Sequence, residues 1–380
     1  MRILLLGEYS RLHNSLKAGL QQMGHSVTIV ATGDSFKNYP ADMSFKPRLT
    51  QSTLFFKFIK KVVYKLTKIN LEQTEAGIRF YFLLSQLKGY DAVQLINSNA
   101  LQTHPSWSRF LLKKVFQQNK KTFLLVCGDE TPVIDALLQN KLKYDILTPY
   151  REHPELEKNF VYSLKYTTPP YRKLYNFVTK SSQAIIASDI DYTIPLQMMG
   201  VPFTHIPNPV LTSEHTDTIN PVKDKVVIFL GINRLNRIRK GVDYFEKALA
   251  QIEKKYKDKV VVLTTENVPY AEYITQYKKA HIRVDMVFAY DQGYNALEAM
   301  EQGKVVFTGA ETEFLKRYDL AEDEVCINAL PNVTYLVDKL SYLIENSQEI
   351  ERIGQNAQAF VKREHDYVTV AKKYEAVYKR

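Results

Sequence analysis

The chain opens on Arg2-Ile-Leu-Leu-Leu-Gly7, an unbroken apolar run that stops at a glycine. A run without polar alternation has to be buried on both faces, as in a parallel strand covered by helices. Leu12, Leu16, Leu20 and Met23 then recur at helical spacing until Gly24, and Ser26-Val-Thr-Ile-Val30 supplies a second strand. Such a strand–helix–strand unit closes with a right-handed crossover, so the sheet is parallel. Further strands are expected at Ala92–Ile96, Thr122–Cys127 and Ala184–Ala187, which makes the first half an α/β, Rossmann-like layered domain. Ile206-Pro-Asn-Pro-Val210 interrupts all regular structure, and the Thr/Ser/Asn-rich stretch 211–221 reads as a linker. The pattern restarts with strand Val226–Leu230, helix Val242–Lys255 and strands Val260–Leu263 and Val287–Phe288. Helix Asn295–Gln302, strand Val305–Thr308 and two C-terminal helices follow. Two α/β units joined by a proline hinge leave a cleft between them, a favoured place for ligands.

The 380 residues suffice for two such domains. Hydrophobic residues at 45% and charged residues at 24% exclude disordered and fibrous classes. No apolar run approaches the ~18 residues of a membrane span, and the opening run is shorter than the ~7–15 residues of a signal-peptide core, so a cytoplasmic protein is expected. Cys127 and Cys326 are too few and too far apart for a zinc site or a disulfide framework, and read as buried, inert thiols. Positive charge is unevenly placed. Residues 1–210 hold 26 basic and 15 acidic residues, against 25 and 26 in 211–380, and Met43 to Leu71 contains seven basic residues and no acidic one. That asymmetry points to a polyanionic partner: anionic lipid, nucleic acid or a phosphorylated substrate. No helix-turn-helix or RNA-binding signature accompanies it, so nucleic acid is not expected. A dehydrogenase is disfavoured, because Gly7 stands alone where G-x-G-x-x-G is required.

Two segments carry chemistry. In Phe229-Leu-Gly231-Ile-Asn-Arg234-Leu-Asn-Arg237-Ile-Arg-Lys240-Gly241-Val242, a strand end leads through a cationic loop into a helix. Arg234 and Lys240 then lie at the carboxyl edge of a parallel strand beside helical N–H groups, an arrangement suited to a diphosphate. A solvated basic loop is the competing reading. The second segment, Ala289-Tyr-Asp-Gln-Gly293-Tyr-Asn-Ala-Leu-Glu298-Ala-Met-Glu301-Gln-Gly303-Lys-Val-Val, packs a strand, a glycine-containing loop, a short helix and another strand into 18 residues. Gly293 allows backbone to approach a ligand, and Glu298, one turn into the helix, is placed to accept hydrogen bonds from a ribose diol. The alternative is an amphipathic helix with Glu298 and Glu301 in solvent. Cys127-Gly128-Asp129-Glu130-Thr131 follows a buried strand and directs Asp129 either to the cleft or to a helix cap. Asn97-Ser98-Asn99 and His104 are weaker cleft candidates. Between Lys57 and Lys68, the residues Lys57, Lys60, Lys61, Lys65 and Lys68 share one helical face, and Phe55, Phe58, Ile59, Val62 and Leu66 the other. Such a helix lies on an anionic membrane or packs onto its own domain.

In their order and spacing the two segments resemble retaining glycosyltransferases of the GT-B fold, and most nearly glycosyltransferase family 4. Arg234 and Lys240 match that family's arginine and Lys-Gly six residues later, with Ile232 and Asn233 inserted after the glycine. Gly293, Glu298, Gly303 and Val305-Val306 match its Glu-x7-Glu segment. The resemblance implies two Rossmann-like domains facing a cleft: 1–210 on the acceptor side, 211–364 on the donor side, and a helix at 365–380 crossing back. It implies that Arg234 and Lys240 bind the donor diphosphate beside Gly293 and Tyr294, and that Glu298 binds the ribose. The family's first glutamate, which faces the sugar, falls at Tyr290. Asp291 or Gln292 would substitute for it, and Asp129 and Asp291 are the candidate catalytic carboxylates. Gly7 and Glu8 stand where the family has its small first loop. The implied activity moves a hexose, with retention, from a UDP- or GDP-sugar to a glycan or lipid-linked acceptor in cell-surface polysaccharide synthesis, on the inner face of the membrane. No cofactor and no metal is expected, and Asp189-Ile-Asp191 follows a strand where a metal-binding DxD is not expected. The alternative is a non-catalytic GT-B protein that binds a glycan or a partner transferase, which Tyr290 suggests.

Overall fold

Seven parallel strands form the first sheet: β1 (Arg2–Leu6), β2 (Ser26–Ala31), β3 (Met43–Ser44), β4 (Ala92–Leu95), β5 (Lys121–Val126), β6 (Ala184–Ala187) and β7 (Thr204–His205). Their order across the sheet is β3-β2-β1-β4-β5-β6-β7. Five more build the second: β8 (Val226–Ile232), β9 (Val260–Glu266), β10 (Ile282–Val284), β11 (Val305–Thr308) and β12 (Ile327–Asn328), in the order β12-β11-β10-β8-β9. The computed structural model describes residues 1–34, 39–52, 54–67, 69–212, 221–268 and 270–380. Most of the expected linker therefore lies outside the described residues. Each sheet reverses its winding once, between β1 and β4 and between β8 and β10. At such switch points the flanking loops part and leave a crevice at the carboxyl edge.

The apolar runs are buried as their patterning requires: Ile3, Leu4, Leu5 and Leu6 are fully inaccessible, as are Val305, Val306 and Phe307. One strand differs from expectation. Val287 and Phe288 are buried but not in a sheet, and the Val287 N–H donates to the Lys240 carbonyl, 3.0 Å away. The strand is Ile282–Val284 instead, hidden from pattern reading by Arg283 at its centre. Helix Tyr270–Lys279 precedes it, and Thr312–Tyr318 precedes three C-terminal helices, Val333–Glu345, Ser347–Glu364 and Tyr367–Lys379, where two were expected.

The last helix packs against the first, Leu12–Gln22, at very short range. A Cβ on Gly19 would lie 2.3 Å from the Tyr367 carbonyl oxygen. Tyr374 and Tyr378 are fully buried there, and the Tyr378 hydroxyl donates to Gln94 on β4 at 2.6 Å. Gln94 in turn donates to His13 Nε2 (3.1 Å), whose Nδ1–H donates to the Gly7 carbonyl (2.7 Å). Those partners fix the neutral tautomer, and burial lowers the His13 pKa to about 4. The crossing point is pinned too, by Val210 N–H to the His365 carbonyl (2.8 Å) and Tyr367 N–H to the Val210 carbonyl (3.1 Å).

Candidate functional site

At the second sheet's switch point, Lys240 ends the loop after β8 and Asp285 ends β10. Lys240 Nζ lies 2.7 Å from the Asp285 carboxylate. Arg283 Nη2, nearly inaccessible on β10, approaches the same oxygen at 3.6 Å. Burial alone would raise the Asp285 pKa, but the two cations hold it below the ordinary carboxylate range. Asp285 thus anchors Lys240 at the cleft. Arg234 has a different setting: its side chain is 72% exposed and its Nε donates to Glu266 at the end of β9, 2.9 Å away. Its neighbour Arg239 reaches across the cleft to Asp129 with two bonds of 2.8 and 3.1 Å. Gly293 begins the helix Tyr294–Glu301 with no side chain capping it, and the space around its Cα is open. First-turn N–H groups have no intrahelical acceptor, so they present partial positive charge to the cleft. Glu298, further along the same helix, faces the first domain, where Arg11 Nη1 lies 3.7 Å away.

The loop before that helix is taken up with joining the domains. The Tyr290 hydroxyl accepts from Lys143 N–H at 3.0 Å, its ring packs on Tyr144, and its own N–H donates to Asp191 at 2.9 Å. Asp291 does not point into the cavity. One oxygen accepts from Ile190 N–H (3.0 Å), capping a first-domain helix whose own N-cap residue, Asp189, provides no side-chain bond; the other accepts from Gln292 N–H (2.7 Å). The Gln292 amide donates to the Gly309 carbonyl, 2.8 Å away inside the second domain. The Tyr294 hydroxyl donates to the Pro209 carbonyl (2.8 Å) and accepts from Ser15 on the first helix. Lys143 and Tyr144 both donate to Glu311 of the second domain.

The first domain contributes carboxylates. Gly7 has φ +82°, and a Cβ would meet Ile96 Cγ2 at 2.4 Å, so its glycine serves the turn and its packing. Glu8 is buried and accepts from Asn14 N–H and side-chain amide at 2.9 and 2.6 Å, with its other oxygen unpartnered. Burial raises its pKa to about 7 against those two bonds. Asp129 binds Ser163 (2.6 Å) as well as Arg239. Glu130 caps its own helix through Thr131 N–H (3.0 Å) and holds Ser98 by backbone and hydroxyl (2.8 and 2.7 Å). Asn97 donates to the Asp129 carbonyl (2.7 Å), and His104 caps the helix Pro105–Gln117. Asp189 and Asp191 lie in the cleft, contrary to the reading of that segment as badly placed. Burial raises the pKa of both and of Asp291, and the Asp291 charge adds to the effect on Asp189 and Asp191. One Asp189 oxygen has no partner.

An interdomain cavity of about 250 Å³ brings Asp129, Asp189, Asp191, Arg239, Lys240, Tyr290 and Gly293 together. Arg234, Asp291, Gln292, Tyr294, Glu298, Gly7 and Glu8 are not among its lining. Arg239, Asp285, Asp189 and Asp191 are the cleft residues that sequence reading passed over. Asp285, Asp189 and Asp191 stand directly after, or one turn beyond, a buried strand, and Arg239 lies seven residues past β8. Among the described residues no group of three or more His, Cys, Asp or Glu is arranged to hold a metal ion.

Away from the cleft, the basic helix spans Leu54–Thr67. Lys60 pairs with Glu72 at 2.5 Å, while Val62 and Leu66, on the face expected to be apolar, are exposed, Leu66 by 77%. Trp107, Phe110, Tyr81 and Phe82 on neighbouring helices are exposed as well. Phe110 lies within ring-contact range of Tyr81 and Trp107. Lys68 and the side chains of Phe55, Lys57 and Phe58 lie outside the described residues. No helix among the described residues is long and apolar enough to cross a membrane.

Residues 237–376 match the profile of a family described as glycosyl transferase-like. No curated protein matches the chain by sequence. Sucrose-phosphate synthase from Thermosynechococcus elongatus superposes over 100% of this chain and 98% of its own, with a TM-score of 0.60 at 13% identity. Anabaena HepE in complex with UDP-glucose covers both chains fully, with a TM-score of 0.59 at 14% identity. UDP-GlcNAc 2-epimerase from Neisseria meningitidis, bound to UDP-GlcNAc, also covers both fully, with a TM-score of 0.53 at 14% identity. At these identities the likeness shows the fold, which is GT-B: two Rossmann-like domains of parallel sheet facing a cleft.

Proposed function

We propose that this GT-B protein, glycosyl transferase-like in its second domain, is a nucleotide-sugar-dependent glycosyltransferase. It moves a hexose from a UDP- or GDP-sugar to a glycan or lipid-linked acceptor, with retention, in surface polysaccharide synthesis. The observation that carries the reading is the pairing of Lys240 with the uncapped helix start at Gly293, both on the interdomain cavity at the second sheet's switch point. An ammonium anchored by Asp285 and the uncapped helix start offset the charge that builds on a departing diphosphate. In this reading no metal is required for that task. Glu298 accepts from the ribose diol in place of its contact with Arg11, and Arg234 reaches the diphosphate only by leaving Glu266. Asp129, held by Arg239, faces the sugar. Asp291 acts through the domain joint, because both its oxygens already accept N–H groups.

The solved relatives support UDP before GDP, since HepE was crystallised with UDP-glucose. Thermal melting with UDP, GDP and their glucose conjugates tests the donor, because binding stabilises by mass action, about 2.7 kcal/mol at a hundredfold excess over Kd. Expected is a rise in Tm with one nucleotide diphosphate and UDP or GDP release in the presence of an acceptor. No rise with any of them overturns the reading. Binding without transfer or hydrolysis would favour the non-catalytic alternative, which the use of Tyr290 and Asp291 as domain ties makes specific.

The protein also sits, in this proposal, on the cytoplasmic face of an anionic membrane through Leu54–Thr67, with Val62, Leu66 and the neighbouring aromatic side chains entering the interface. Replacing Lys60, Lys61 and Lys65 by Glu is expected to abolish sedimentation with phosphatidylserine vesicles at low salt, each lysine contributing ~1 kcal/mol. Wild-type protein that ignores such vesicles sinks this part of the proposal.

A further inference from the structure

The interdomain cavity is two-natured in a way that donor binding does not explain. Two of its walls are helices that start at the carboxyl edges of the adjacent strands β5 and β6, Thr131–Leu137 and Ile190–Met198. Polar groups stand at their starts: Asp129 just before the first, Asp189 and Asp191 at the second. Further along each, the lining turns aliphatic. Val133 and Leu137 are four residues apart on one helix, and Ile194 and Pro195 follow Asp191 by three and four residues on the other. Residues so spaced share a face, and at 1.5 Å per residue Pro195 lies about 6 Å below Asp191. Leu142 and Ile146 also line the cavity, as does Asp145 between them, whose carboxylate is taken up by Arg151 at 2.9 Å. Met286, an adaptable thioether, faces the cavity from the second domain.

A hexose presents hydroxyl groups on all sides, and seating it against six aliphatic side chains would leave them unbonded. A cavity of this kind fits an amphipathic molecule. We infer that it is the acceptor site, and that the acceptor is a sugar carrying an aliphatic or aromatic aglycone. The sugar hydroxyls meet Asp189 and Asp191, and the aglycone lies between the two helices. The word acceptor rests on the transferase reading; the amphipathic site does not.

The test is isothermal titration of wild-type protein with methyl, n-hexyl and phenyl β-D-glucoside, the hexyl compound kept below its micellar concentration, with UDP and GDP titrated separately. Burying each methylene multiplies affinity by about four, so hexyl is expected to bind at least tenfold tighter than methyl. Hexyl above phenyl identifies an alkyl aglycone, and the reverse an aryl one. Ile194→Asn and Leu142→Ser, both at half-buried positions, are expected to cut the hexyl-to-methyl ratio below threefold in protein whose melting remains cooperative. Equal binding of all three glucosides by wild type overturns the inference, as does a preference that survives in both variants, since it would then come from the exposed aromatic surface. A protein that shows the preference but binds neither UDP nor GDP supports the amphipathic site and removes the transferase reading. One that binds either nucleotide without the preference does the opposite.

Discussion

The two carboxyl edges that face each other across the cleft are built alike and carry opposite kinds of group. The second domain presents donors: Lys240, Arg239 and the uncapped N–H groups after Gly293. The first presents carboxyl groups: Asp129, Asp189 and Asp191. Yet the first half holds the whole excess of positive charge, 26 basic residues to 15 acidic. Its cations lie elsewhere, among them Lys60, Lys61 and Lys65 on the exposed helix face. Net charge of a domain is therefore no guide to the sign of its cleft. The division assigns ligand parts instead, phosphates to the second wall and hydroxyls to the first, with Arg239 and Asp129 joining them.

Lys240→Ala attacks the contrast most directly. It removes an ammonium from the donor wall and leaves Asp285 to Arg283 alone. Nucleotide-diphosphate binding is expected to weaken by ~1.5–3 kcal/mol, the scale of a charge-assisted hydrogen bond, while uridine or guanosine binding changes far less. Calorimetry with diphosphate and nucleoside side by side checks this, and equal losses would place the phosphates elsewhere. Glu298→Gln is the next largest. It keeps the shape but weakens the acceptors, so donor affinity is expected to fall by ~1–2 kcal/mol, with Arg11 freed of its partner. Unchanged affinity would show the ribose to be remote from this helix.

The smallest effect sharpens the acidic wall. Asp189, Asp191 and Asp291 have folded pKa values raised above their unfolded ones, near 4. Their folded form holds more protons than the unfolded chain between those values. The stability they contribute is thus fully present below about pH 4 and is lost as pH rises through the raised values toward neutrality. Stability is expected to fall between pH 5 and 8, and Asp189→Asn to flatten that slope by ~1 kcal/mol. Urea titrations at several pH values decide it; a variant with the wild-type slope would show that Asp189 is not part of the titrating set.

The donor side was legible because it is contiguous. Arg234 to Lys240 and Gly293 to Glu298 each form one loop and one helix start, and loops at strand ends announce themselves by glycine and by a change of period. Even there, Arg234 and Arg239 traded places. The first is on the rim with Glu266 and the second in the cavity, because a short helix over Arg237–Lys240 turns the loop after Arg234 inward. The acidic wall was legible only in Asp129. Asp189 and Asp191 lie about sixty residues beyond it, after β6, and nothing local distinguishes Asp189 from a helix cap. Asp291 failed as a cleft residue for the converse reason: its neighbours in sequence point to a sugar, and its neighbours in space are backbone N–H groups of the other domain.

Hydrophobic periodicity is a local property, and it was enough to determine the α/β class, the parallel strands and the existence of a second Rossmann-like unit. What the tertiary structure alone decided is which charges meet. Lys240 with Asp285, Arg239 with Asp129, and Asp191 with the Tyr290 and Asp291 backbone are pairings between elements remote in sequence. Their energies depend on distances of a few ångströms and on burial, and both are set only when the two sheets have closed on each other.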